Sequence, residues 1–263
     1  MDWTALFGVD FPVFLLVLSR TSGLLIAAPY FQSRSLPAMI KVGLTLFLSL
    51  VLAPVLSLQP GGDWVHGTLW LQSIAAEVVT GLTMGFVLNL SFAAIQLAGQ
   101  MIDISIGFGV VNIIDPQSGS EMPIMGQLQQ LLAMWLFLVL NGDHLIIKAL
   151  VYSYKLIPPG GFTCTTPGVR SIVHAFSGMF LLGVQIALPI VGAIFLADLT
   201  MGIVSRLIPQ INVFMTGFPI KIVLGLLLVI LATPFFSHLI GGLVSSDGGL
   251  WQAIGKILPL FRR

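Results

Sequence analysis

Residues 172–197 read IVHAFSGMFLLGVQIALPIVGAIFLA and contain no Asp, Glu, Lys or Arg. A run of about 20 apolar residues is long enough to cross the hydrocarbon core of a bilayer as a helix. The whole chain shares this character, because 57% of its 263 residues are hydrophobic and only 8% are charged. Soluble domains carry about 25% charged residues. The sequence therefore predicts an all-α, polytopic membrane protein whose surface is solvated largely by lipid.

Charge placement predicts how the apolar segments are arranged. Five segments have the length of a membrane span: 11–30, 39–58, 128–150, 172–197 and 220–243. A sixth segment, 69–97, lies between two connections that lack Lys and Arg, and both connections are expected outside because positive residues mark the cytoplasmic side. A single crossing cannot join two external connections, so we interpret 69–97 as a re-entrant hairpin. The alternative is an ordinary crossing that violates the charge rule. The hairpin gives five crossings, an external N-terminus and a cytoplasmic C-terminus.

Several classes of function are excluded by charge and motif. The net charge is +1 without a long run of one sign, so no basic surface for nucleic acid is present. The four histidines lie far apart without metal-ligand spacing, and the single Cys164 has no disulfide partner in the chain. Protease, phosphate-loop and metal motifs do not occur. We expect a protein that is not an enzyme and carries no cofactor.

Ionisable residues inside apolar segments are candidate functional residues, because burying a charge in hydrocarbon costs about 2.5–3.5 kcal/mol even on the lenient insertion scale. The candidates are Arg20, Glu77, Asp103 and Asp198. Arg20 lies midway along its segment and should meet a carboxylate or the carbonyl groups of a broken helix. Glu77 is expected to be hydrated at a helix end. Asp198 is expected to be hydrated at the start of a connection.

Small residues and prolines predict how the helices pack. Gly81 and Gly85 stand four residues apart, which leaves a groove along one helix face. In a chain with 28 glycines, we expect this groove to serve packing within the protein before a specific partner contact. Pro189, Pro219 and Pro234 lie in or beside apolar segments and should kink them. The predicted fold is therefore a set of kinked helical hairpins.

The segment 104–126 is apolar but rich in glycine, proline and serine. Its glycines and the Asp115-Pro116 pair predict irregular backbone, which at membrane depth must be surrounded by protein or line a pore. Apolar side chains inside a pore would form a constriction that excludes water. We therefore predict a pore plug, with an external loop packed on its own helices as the alternative. The plug residues are Phe108, Val110, Val111, Ile113, Ile114, Asp115 and Pro116.

Ordered motifs over nearly the whole chain resemble the FliR family of flagellar export-gate proteins, whose relatives serve the injectisome. No single motif is decisive, but their order and spacing together are specific. The motifs are Ala28-Pro29, RSLP at 34–37, KVGL at 41–44, Gly81-x-x-x-Gly85-Phe86, Phe92-Ala93-Ala94, Asp115-Pro116, Met122-Pro123, LNG at 140–142, PQINVF at 209–214 and GFP at 217–219.

The resemblance implies one membrane-embedded export-gate domain over 1–263, with a FliP-like part at 1–170 and a FliQ-like hairpin at 171–245. The likeness to FliQ is centred on Gln210 and Asn212. The family's gate plug aligns with 108–123, although Val110 and Ile113 replace aromatic residues found in some members. The polar and small residues predicted to support assembly are Arg20, Glu77, Gly81, Gly85, Gln210 and Asn212.

The function implied by the resemblance is that of a non-enzymatic subunit of the flagellar type III protein export gate. It would lie in the cytoplasmic membrane at the flagellar basal body and help form the conduit for unfolded flagellar subunits. The implied partners are FliP and FliQ, with FlhB and FlhA, export substrates and membrane lipid. Two other hypotheses remain from the residues alone: a small-solute transporter or channel with a midplane site near Arg20, and a scaffold without a pore. A transporter should show inverted repeats, and none is visible.

Overall fold

The computed structural model describes residues 11–29, 31, 36–56, 68–108, 123–208, 210, 213–245 and 248–262. Within these ranges the chain is helical apart from short connections and one isolated antiparallel bridge between Phe162 and Arg262. The predicted all-α class is therefore confirmed. The α-helices, in chain order, are α1 (Phe11–Ala27), α2 (Ala38–Val55), α3 (Thr68–Ile106), α4 (Ile124–Val139), α5 (Gly142–Leu156), α6 (Thr166–Leu207), α7 (Val213–Val244) and α8 (Gly249–Ile257), and a 3-10 turn follows at Leu258–Phe261.

Among the described residues, four helical stretches are long and apolar enough to cross a membrane, and α4 with α5 gives a fifth when the two are counted as one broken span. Helix α1 is apolar but has only 17 residues. These features confirm a multi-pass membrane protein. Three of the stretches are Ala38–Val55, Trp70–Ile106 and Thr166–Leu207, and the fourth begins at Thr216 within α7.

The predicted re-entrant hairpin at 69–97 is wrong. This segment lies within α3, which runs without a break for 39 residues. At about 1.5 Å per residue the helix extends about 58 Å, nearly twice the thickness of the hydrocarbon core. The charge rule misled because it describes topology and not local helix formation, and both flanking connections lack the Lys and Arg residues on which it depends.

The predicted span at 128–150 is also not one helix. Helix α4 ends at Val139 and α5 begins at Gly142, with Asn141 between them in the left-handed conformation at φ 57° and ψ 39°. Asn tolerates this conformation better than most residues. The three prolines expected to kink helices do not end them. Pro189 lies within α6, and Pro219 and Pro234 lie within α7. The kinks expected at these prolines remain a prediction.

The chain forms two compact units, each built from segments that are distant in sequence. The first unit comprises Met1–Leu90, Asn141–Phe176 and Leu243–Arg263, and the second comprises Ser91–Leu140 and Ser177–Gly242. In the first unit, α8 is followed by a turn whose Phe261 ring stacks on Phe162 at 5.0 Å between centroids. The proposed FliP-like and FliQ-like parts are divisions of the sequence and remain a prediction.

Candidate functional site

A fully buried ion pair lies within the first unit. Arg20 of α1 donates from Nε to Glu77 Oε2 at 2.6 Å and from Nη2 to Glu77 Oε1 at 3.0 Å. The two side chains are 0% and 1% exposed. This is the two-pronged geometry in which a planar guanidinium matches a carboxylate, and it gives both direction and strength to the contact. The pair therefore fixes α1 on α3.

The same pair holds the connection that follows α5. Arg20 Nη1 donates to Ser153 Oγ, and Nη2 donates to the Ile157 carbonyl oxygen, both at 3.0 Å. On the other side, the Gly160 amide donates to Glu77 Oε1 at 3.0 Å. The guanidinium carbon also lies 3.8 Å from the centre of the Tyr154 ring, within cation–π range. Three separate segments thus meet at one ion pair.

The structure supplies the partners expected for Arg20, which meets a carboxylate and a carbonyl group. The expectation for Glu77 is wrong, because the residue lies more than two turns inside α3 and is covered by the connection after α5. A signal was present in the sequence: a buried arginine requires a counter-ion, and Glu77 is the acidic residue of the segment 69–97. The proposed role of this pair in assembly remains a prediction.

Close contact between helix backbones brings the ion pair together. A Cβ placed on Gly81 would overlap the Arg20 carbonyl oxygen, and a Cβ placed on Gly85 would lie 2.6 Å from the Ala27 Cβ. Gly23 of α1 contributes from the opposite side, since a Cβ there would overlap the Val78 carbonyl oxygen. The glycines therefore pack α3 against α1 within the chain, in agreement with the packing interpretation of this motif.

A second buried carboxylate, Asp103, lies in the second unit near the end of α3. It is 3% exposed. Its oxygens accept hydrogen bonds from the Met125 amide at 3.1 and 3.0 Å and from the Gly126 amide at 3.3 Å. The sequence marked Asp103 as a candidate but gave no partner, because main-chain amides carry no residue-specific signal.

Asp198 does not begin a connection, and this expectation is wrong. It lies within α6, half exposed, and forms an ion pair with Lys221 of α7 in the same unit. Gln210 is exposed in the short connection between these helices. Asn212 lies outside the described residues.

The predicted plug begins at the described end of α3. Phe108 is half buried, and it follows Gly107, which has φ 100° and would bring a Cβ to 2.7 Å from the Phe218 ring. The remaining predicted plug residues lie outside the described residues: Val110, Val111, Ile113, Ile114, Asp115 and Pro116. Among the residues that are described, no cluster of three or more His, Cys, Asp or Glu side chains could hold a metal ion.

Long apolar helices packed around buried charged groups define a multi-pass membrane protein. Comparison with known proteins gives its family. The chain belongs to the bacterial export proteins, family 1, whose family model matches residues 11–246. The resemblance to FliR is thereby confirmed.

Curated relatives cover most of the chain. It is 33% identical over 226 residues to the flagellar biosynthetic protein FliR of Bacillus subtilis (strain 168), covering 84% of this chain and 85% of that protein. It is 30% identical over 243 residues to FliR of Escherichia coli (strain K12), with 92% of each chain covered. It is 27% identical over 226 residues to the secretion system apparatus protein SsaT of Salmonella typhimurium, covering 83% of this chain and 86% of that protein.

Proposed function

We propose that this chain is a non-enzymatic subunit of the flagellar type III protein export gate. In this role it helps form the conduit through which unfolded flagellar subunits cross the cytoplasmic membrane. The observation that carries the proposal is the match to relatives named as flagellar biosynthetic and secretion-system apparatus proteins, which extends over more than four fifths of the chain. The family is one of bacterial export proteins.

Extensive exposed apolar surface supports a role inside an assembly. Met39 is 87% exposed and Val55 is 66% exposed on α2, and large apolar side chains are also exposed along α6 and α7. Such a surface needs lipid or partner subunits to cover it. The partners proposed are FliP and FliQ, with FlhB and FlhA as further components. Two long helices joined by a short connection, α6 and α7, have the form that a FliQ-like hairpin requires.

The midplane solute-site hypothesis is not supported. Arg20 is fully buried, and four of the five N–H groups of its guanidinium already donate hydrogen bonds within the chain. A solute would have to displace Glu77, Ser153 and the Ile157 carbonyl group together. This arrangement is the expected form of a packing anchor, not of a binding site.

The segment between α3 and α4 is proposed as the plug that closes the resting pore. Its aliphatic residues would form a dry constriction, and the flanking glycines and the Asp115-Pro116 pair would let it move aside for cargo. Replacing Ile113 and Ile114 with Asp should hydrate this face, so resting cells should leak small ions while export continues. Unchanged ion permeability with normal assembly would contradict the plug.

The function is tested by deleting the gene in its own host and restoring it on a plasmid. The deletion should abolish export of flagellar subunits into the medium, and the restored gene should recover it. A tagged chain should be purified with FliP and FliQ, and it should be poorly stable in detergent without them, because the exposed apolar side chains of α2, α6 and α7 need protein to cover them. Normal export in the deletion strain, or a stable and well-folded monomer, would contradict the proposal.

A further inference from the structure

The end of α3 and the start of α4 are both bonded to one residue, Asp103. Its side chain reaches the first turn of α4, and its main-chain carbonyl oxygen accepts hydrogen bonds from the Gly107 and Phe108 amides at 3.0 and 3.1 Å. The main-chain carbonyl group of Asp103 therefore bonds the end of α3, and its carboxylate bonds the start of α4. Each of these contacts has a separate physical cause.

The side-chain contact supplies a cap that the local sequence lacks. The first amides of a helix have no partner within the helix, and they lie at the positive end of its dipole. The N-cap residue of α4 is Pro123, which makes no side-chain hydrogen bond to the helix. The Asp103 carboxylate takes that role from another helix, and within the described part of the chain its hydrogen-bond partners are these amides.

The main-chain contact ends α3. The amide of Phe108 reaches back five residues to the Asp103 carbonyl oxygen, and the intervening Gly107 has the left-handed φ of 100°. This is the 6→1 hydrogen bond of a Schellman-type helix ending, in which glycine takes the left-handed position. Asp103 thus accepts hydrogen bonds from main-chain amides at both helix ends, the last turn of α3 and the first turn of α4.

A close backbone contact explains why so short a side chain can reach α4. Gly99 lies one turn before Asp103 on the same face of α3. A Cβ placed on Gly99 would overlap the Gly126 Cα and lie 2.6 Å from the Gly126 nitrogen. Because neither glycine has a side chain, the two backbones meet, and the carboxylate lies beside the Met125 and Gly126 amides.

We propose that Asp103 is a positioning residue that holds together the two ends of the segment between α3 and α4. The proposal rests on the plug function proposed above for that segment. A plug whose ends are fixed on one buried residue returns to the same place after cargo passes. Without the carboxylate, the first turn of α4 loses its cap and the two ends of the plug separate.

The test uses the complex purified with its partner subunits and carrying Asp103→Asn, which keeps the size of the side chain but replaces one of its two acceptor oxygens with an NH2 group. Asp143→Asn is the matched control, because Asp143 is an acid in the first turn of α5 that is more than half exposed. Hydrogen exchange of the peptide at 124–127 should become faster in Asp103→Asn, because fewer of the three hydrogen bonds can form, and it should not change in the control. Asp103→Ala removes both acceptor oxygens, so exchange should become about fivefold to tenfold faster, as expected for loss of a helix cap.

Ion leak in resting cells gives the second readout. Faster exchange together with a leak in Asp103→Asn supports the proposal, and unchanged exchange in both Asp103 variants overturns it. Exchange could be faster in Asp103→Asn while only the Ile113→Asp, Ile114→Asp double variant leaks. That result would show that Asp103 does not position the plug, and it would still support the plug function. If neither variant leaks, the plug function fails, and the positioning role falls with it whatever the exchange rates show.

Discussion

Removing Glu77 should destabilise the chain much more than its size suggests. The carboxylate accepts three hydrogen bonds, two from Arg20 and one from the Gly160 amide. In Glu77→Ala the guanidinium keeps its contacts to Ser153 and Ile157 but remains a buried charge without a counter-ion. Breaking one partner of a buried ion pair costs about 3–5 kcal/mol. Since domains are stable by only about 5–15 kcal/mol, this is a large part of the total.

Three further variants separate the charge from the contacts. Glu77→Gln keeps the volume but places an NH2 group against Arg20 Nε, so it should destabilise in the same direction. Arg20→Lys keeps the charge but loses the two-pronged geometry and the stacking on Tyr154. The double variant Arg20→Met, Glu77→Leu leaves no buried charge. It should cost less than the sum of the single variants Arg20→Met and Glu77→Leu, because each single variant leaves one buried charge without its partner. The Ile157 carbonyl and Gly160 amide groups are left unpaired in the double variant, at about 1–3 kcal/mol each.

The measurement is thermal unfolding of the detergent-solubilised complex, combined as a double-mutant cycle. Asp143→Ala is the control, because its carboxylate is exposed beside His144 and such surface pairs contribute about 0–1 kcal/mol. We expect a coupling between positions 20 and 77 well above the control value. Glu77→Ala with wild-type stability would refute the reasoning. So would a double variant whose loss equals the sum of the two single losses.

Two other outcomes are expected. Gly81→Ala should lower thermal stability by about 1–3 kcal/mol because its Cβ would overlap a carbonyl oxygen of α1, whereas Gly43→Ala should be neutral or slightly stabilising because a Cβ there meets no atom within 4 Å. Equal effects would contradict the packing of α3 on α1. Cys164 is exposed in the connection before α6, and the charge pattern places this connection in the cytoplasm, so a membrane-impermeant maleimide should label it in inverted vesicles. Labelling in intact cells would reverse the predicted topology.

The sequence predicted well those features that follow from composition. The membrane class, most of the long helices and the need of Arg20 for a counter-ion follow from the cost of polar groups in an apolar surrounding. The internal packing of Gly81 and Gly85 was also favoured correctly. Each of these inferences depends on a residue type within one apolar segment. None depends on which distant segment packs against that residue.

The wrong predictions concern features that depend on distant segments or on main-chain groups. Whether Glu77 is hydrated depends on a connection more than eighty residues later, whose Gly160 amide covers it. The continuity of α3 through 69–97 could not be found from charges in the flanking connections, because the rule describes topology and not local helix formation. The break at Asn141 rests on a single left-handed residue within an otherwise apolar run. Partners of Asp103 are main-chain amides, which every residue except proline possesses.

The Arg20–Glu77 pair and the Asp103 carboxylate have the same structural role, which is to bond main-chain groups at helix ends. Helix α5 ends before Pro158-Pro159, and there Arg20 and Glu77 bond the Ile157 carbonyl and Gly160 amide groups. Helix α4 begins after Pro123, and there Asp103 bonds the first amides. Proline-containing connections expose main-chain groups that an apolar surrounding leaves unpaired. A charged side chain from another helix forms hydrogen bonds with these groups. The same hydrogen bonds offset the cost of burying the charge. These charged side chains are therefore already bonded to main-chain groups at helix ends within the chain, and they are not available to bind a solute.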